Sequence, residues 1–136
     1  MYETFEHTAD IGIRVRAGDL NGLFEDAARG LFALLVANPD AVRPVQELSF
    51  RIEAQRLDDL WFDWLAELLF VFDTRRLLLG EFHVEVQGER LEATARGEPI
   101  DPQRHQLDME VKAITYHGLK VQRDGDGWLA EVIVDL

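Results

Sequence analysis

An α+β fold, two helices packed against a largely antiparallel β-sheet in a single domain over residues 1–136, is what this sequence predicts. Three observations carry that expectation. Two long stretches repeat apolar residues at intervals of three and four. The other segments alternate apolar with polar residues, as half-buried strands do. Nothing in the chain reads as a linker, an internal repeat or a low-complexity tract, and 136 residues suffice for one proper core.

Residues 2–5 and 11–17 read as two short strands. In the second, Ile11, Ile13 and Val15 share one face, while Arg14 and Arg16 take the other. "GDLNGLFEDAARGLFALLVANP" then reads as a helix capped by Asp19. Leu20, Leu23, Phe24, Ala27, Leu31, Leu34 and Leu35 line its apolar face, and Asn38-Pro39 ends it. "QELSFRIEAQ" alternates Leu48, Phe50 and Ile52 as a strand.

The second helix is "LDDLWFDWLAELLFVFDTRR". Its apolar stripe includes Leu60, Trp61, Trp64, Leu65, Leu68 and Phe72, with Asp58 and Asp59 at the positive end and Arg75 and Arg76 at the negative end. An aromatic stripe of this kind is a core face before it is a cofactor pocket. From residue 77 strands dominate. "EFHVEVQGERLEATARGE" turns as a hairpin at Gly88, and "EPIDPQRH" is a loop held out of regular structure by its prolines. Residues 107–136 are expected to form three strands, with turns near His117-Gly118 and at "DGDG". The latter lacks the further ligands and distal glutamate of a calcium loop and reads as a turn.

Composition narrows the function. Fourteen Lys and Arg against 26 Asp and Glu give a net charge of −12, which repels phosphate backbones and suits a cation or a basic protein partner. Direct nucleic-acid binding is therefore not expected. The absence of cysteine excludes disulfides and thiolate metal sites. With neither a signal-like N-terminus nor a bilayer-length apolar run, a cytoplasmic protein without membrane attachment is expected.

Two places carry candidate chemistry. "HTAD", residues 7–10, is either turn chemistry ahead of a strand or part of a site. At the other end, "AEVIVDL" sets the Asp135 carboxylate beside the α-carboxylate of Leu136, and adjacent anions repel unless a cation or donor stands between them. Hard oxygens without sulfur favour calcium, magnesium or manganese; the alternative is a solvated end. His7, Asp10 and His117 also allow an acid–base pair on paper. Neither a nucleophile context nor a cofactor motif accompanies them, so a small metal-dependent enzyme is the weaker reading. Lys112 reads as an outward lysine on an alternating strand, unless it meets an acid or a phosphate.

These segments together resemble the archease family. "YETFEHTADIGIRVRAGDLNGLFEDAARGLF" is similar to the family's opening, and "LDDLWFDWLAELLFVFDT" to its second helix. "EVKAITYHGL" is the most specific match. "VIVDL" resembles the family's terminal Asp and last aliphatic residue, with Leu136 in place of the usual Ile. The resemblance implies a protein cofactor rather than an enzyme, an activator of the RtcB-type RNA ligase of tRNA splicing and RNA repair. Such activators promote guanylylation of the ligase, allow multiple turnover and widen its nucleotide range. It further implies a divalent metal, generally calcium, on Asp10, Asp135 and the carboxylate of Leu136. His7, Lys112 and His117 are implied as a possible functional surface. A chaperone-like adaptor for RNA-modifying enzymes is the alternative.

Overall fold

In a computed structural model, residues 1–7 and 10–136 are described, with the side chains of residues 6 and 7 outside the description. The order is β1 (Tyr2–His7), β2 (Asp10–Ala17), α1 (Leu20–Leu35), a 3₁₀ turn (Pro39–Ala41), β3 (Gln46–Glu53), α2 (Leu57–Arg75), β4 (Leu77–Gln87), β5 (Arg90–Pro99), β6 (Ala113–Asp124) and β7 (Gly127–Asp135). The α+β class, the two helices and the antiparallel pairing are as expected. The strands divide between two sheets, a four-stranded one ordered β1-β2-β7-β6 and a three-stranded one ordered β3-β5-β4.

Local chemistry sets the elements. Asp19 caps α1, its Oδ1 accepting from the Gly22 amide at 2.7 Å, and the helix ends where Val36 turns extended. Asp58 and Asp59 face the positive end of α2, and Arg76 closes it in the left-handed region at φ 52°. Ile13 and Val15 of β2 are sealed from solvent, packed with Val132 and Val134 of β7 and Leu23, Phe24 and Leu31 of α1 in one contiguous core. Trp61 and Trp64 are fully buried there, each crossing a phenylalanine edge-on at 5.3 Å. Burying a ring of that size removes roughly 200 Å² from water, on the order of 5 kcal/mol at most. Trp64 Nε1 donates to the Phe24 carbonyl at 2.9 Å, whereas Trp61 Nε1 has no partner among the described residues.

Helix α1 also protects a sheet edge. Asn21 and Glu25, one turn apart on α1, accept hydrogen bonds from the Val86 and Val84 amides of edge strand β4, both at 2.8 Å. Where β5 crosses the irregular Leu79–Glu81 stretch of β4, Gly97 lies so close that an added Cβ would stand 1.8 Å from the Leu78 carbonyl oxygen. Only glycine fits there.

The third strand expected in the last segment is absent. Residues 107–112 form no strand beyond a Val36–Leu107 bridge, because their amides are used elsewhere: Asp108 and Met109 donate to the Leu35 and Leu34 carbonyls at the end of α1. His117-Gly118 does not end a strand either. It is a bulge within β6, accommodated by Gly118 at φ 65°.

Candidate metal-bearing tip and its surroundings

Strand register brings the two ends of the sequence together. β2 pairs with β7 so that Asp10 stands directly opposite Asp135. The same row continues outward, with His7 of β1 opposite Asp10 and Ala113 of β6 opposite Asp135. Opposed residues of an antiparallel pair lie on one face with Cβ atoms about 5 Å apart, and like charges there are unfavourable. Because Ile11 and Ile13 point into the core, alternation sends Asp10 and Asp135 to the opposite, outer face of the sheet.

Four residues along the strands, the outer face deals with charge differently. Glu3, Arg14, Glu131 and Lys120 form a row of alternating sign across all four strands. Arg14 reaches Glu131 at 3.2 Å and Glu3 at 3.3 Å, and Lys120 reaches Glu131 at 3.3 Å. Burial pushes the Glu131 carboxyl up, but Arg14 and Lys120 outweigh it and hold its pKa low. In the Asp10–Asp135 row, two carboxylates stand opposite each other. Among the described residues, no cation pairs with the Asp135 side chain.

Lys112 is tied to this end by its backbone: its amide donates to the Asp135 carbonyl at 2.8 Å. Its exposed side chain lines a hollow of about 490 Å³ beside the C-terminal ends of both helices, with Phe72, Asp73, Arg76, Asp108 and Glu110. It precedes β6 rather than lying on a strand. His117 sits in the β6 bulge four residues beyond Ala113, so the structure does not bring it into the Asp10–Asp135 row. The side chain of His7, with Thr8 and Ala9, lies outside the described residues.

The donors available to a cation are two side-chain carboxylates and, beside Asp135, the carboxylate of Leu136. Among the described residues, no group of three or more His, Cys, Asp or Glu side chains is placed to hold a metal ion. Two or three hard oxygens fit a cation that completes its shell with water and exclude a thiophilic metal.

A second polar cluster escaped sequence reasoning. Glu98 and His105 are 5% and 3% exposed. Glu98 accepts from the Arg43 amide at 2.7 Å and from His105 Nε2 at 3.0 Å, and pairs with Arg104. Since His105 Nδ1 accepts from the Asp101 amide at 2.9 Å, the ring proton belongs on Nε2. Burial alone would raise the Glu98 pKa, but the Arg43 amide, Arg104 and His105 together bring it down to about 2. The cluster pins the 99–106 loop to the loop after α1, and it stands outside the Asp10–Asp135 row.

Comparison with known proteins decides the family. The archease protein family model matches residues 2–136. A Methanopyrus kandleri archease is 41% identical over 139 residues, covering 99% of both chains. The chain belongs to the archease family. A Pyrococcus abyssi archease is 38% identical over 140 residues, covering 99% of this chain and 98% of its own. Among solved structures, a Methanobacterium thermoautotrophicum protein superposes with a TM-score of 0.88 at 34% identity, over 99% of this chain and 98% of its own. A Thermotoga maritima archease, described as a possible chaperone, shares the fold with a TM-score of 0.68 at 23% identity, over 100% of this chain and 98% of its own. As to membranes, no helix among the described residues of this archease is long and apolar enough to cross one.

Proposed function

We propose that this archease is a protein cofactor, not an enzyme, that activates an RtcB-type RNA ligase in the cytoplasm, promoting guanylylation of the ligase and its multiple turnover in tRNA splicing or RNA repair. The observation that carries the reading is the register pair Asp10–Asp135, which sets two carboxylates opposite each other at one end of the sheet. Asp10, Asp135 and the Leu136 carboxylate would hold a divalent cation, calcium first and magnesium or manganese next. When bound, such an ion supplies positive charge at the tip. The chain's own part is structural. β2 and β7 fix the two carboxylates on one face, and the Lys112 amide holds the Asp135 carbonyl so that the end of β7 does not fray. Lys112 and, in the matching motifs, His7 and His117 would present the surrounding surface.

Ligation by substoichiometric ligase, with and without this protein, tests the activity. Unchanged guanylylation and turnover would sink the reading. Suppressed aggregation of unrelated clients would favour a chaperone-like role instead. For the site, Asp135→Ala or a tag fused after Leu136 is expected to weaken calcium binding at least about tenfold and abolish activation, with melting unchanged. Calorimetry giving wild-type calcium affinity for Asp135→Ala refutes the ligand set.

A further inference from the structure

We propose that the solvent side of α2 is a docking face for an arginine-bearing segment of a partner protein; resting on the function proposed above, that partner is the RNA ligase. The face is assembled at helical spacing from Asp59, Phe62, Asp63, Ala66, Glu67 and Phe70, while the opposite side of α2 buries both tryptophans. Phe70 keeps 60% of its surface in water. Phe62 is half-buried against the core, and Tyr116, itself 56% exposed, stacks on it at 3.9 Å between centroids and 9° between planes. Tyr116 Oη donates to Asp59 Oδ1 at 3.4 Å, joining the β6 bulge to the face. On the same face lies a hollow of about 430 Å³ with Ile52, Ala66 and Phe70 as apolar walls and Asp63 and Glu67 as acidic ones.

Charge decides the occupant. Four acids on the sheet faces pair with arginines: Glu131 and Glu3 with Arg14, Glu92 with Arg51, Glu47 with Arg96. Among the described residues, no cation pairs with Asp59, Asp63 or Glu67. Burial, and next the charge of Asp59, pushes the Asp63 carboxyl up, a penalty that an arriving cation would relieve. An arginine matches every wall of the hollow. Its methylene stem suits Ile52 and Ala66, its guanidinium suits two carboxylates, and its plane stacks on an exposed ring such as Phe70. RNA and anionic membrane surfaces are repelled by the same acids, and so is a second copy of a chain with net charge −12.

The test uses the whole ¹⁵N-labelled chain with nona-arginine as probe at physiological ionic strength. Amide shifts are expected to concentrate on the exposed turns of α2 and at Tyr116. The exposed double variant Phe70→Ala/Glu67→Lys should weaken that binding at least about tenfold without altering melting. Small shifts scattered over the whole acidic surface would overturn the docking face. In the ligation assay the same variant should raise the concentration needed for half-maximal activation while full activation returns at saturation. Asp135→Ala, in contrast, should abolish activation even at saturation. Wild-type behaviour of the α2 variant with the ligase removes the ligase as occupant. Failure of the wild-type chain to activate at all refutes the function reading, and the peptide titration still decides the face.

Discussion

Two tryptophans one helical turn apart show how much a single polar atom weighs in this core. Trp61 and Trp64 are equally buried, but only Trp64 has its indole N–H satisfied, by the Phe24 carbonyl. Replacement by phenylalanine removes similar ring area at both positions. At 64 it also discards a hydrogen bond; at 61 it removes a donor left unpaired at a cost of about 1–3 kcal/mol. Urea unfolding should therefore find Trp64→Phe less stable than Trp61→Phe by about 1 kcal/mol or more. Glu98 gives a second prediction at this scale. Its folded pKa, about 2, lies below the ordinary 4.5, so its contribution is complete above pH 4.5 and lost as pH falls toward 2. Glu98→Gln forfeits the charged hydrogen bond from Arg104, costing about 2 kcal/mol at neutral pH, and should flatten the acid limb of stability against pH. An acid limb as steep as wild type would place that dependence elsewhere.

At the scale of elements, α1 does more than fill space: Asn21 and Glu25 occupy the amides that β4 would otherwise offer to another strand. Asn21→Ala/Glu25→Ala should stay folded, lose about 1–2 kcal/mol, and self-associate with rising concentration in light scattering. A variant that stays monomeric would show that the edge is guarded by other means. Helices α1 and α2 and strands β2, β3 and β4 were legible because their apolar periodicity is local, and so was the Asp19 cap. Residues 107–112 were not. Their alternation looks like a strand, yet the carbonyls left open by the end of α1 claim the Asp108 and Met109 amides. The His117-Gly118 bulge mimicked a turn, because glycine at positive φ serves both. Glu98 and His105 sat within an apparently ordinary proline-bearing loop, and their burial depends on Arg43, which no local pattern links to them. Asp10 and Asp135 were each visible as acids at strand ends. Their opposition is a fact of register, and family resemblance reached it where local chemistry stopped.

For the molecule as a whole, acids are distributed unevenly enough to shape how it meets a partner. Glu3 and Glu131 of the outer sheet row and Glu92 and Glu47 of the three-stranded sheet pair with arginines, while the α2 face directs Asp63 and Glu67 outward around its hollow. A chain of net charge −12 with such a surface is expected to find a basic ligase by long-range attraction, which raises the association rate more than it prolongs the complex. That attraction reaches about 10 Å at 0.1 M salt and about 3 Å at 1 M. Stopped-flow association with the ligase should therefore slow by at least about tenfold across that range, with the dissociation rate changing far less. Glu67→Lys should flatten the dependence by removing charge from the docking face, whereas Asp135→Ala should change it less while abolishing activation. An association rate independent of salt would mean that the acidity serves solubility alone, and that recognition rests on the apolar walls around Phe70.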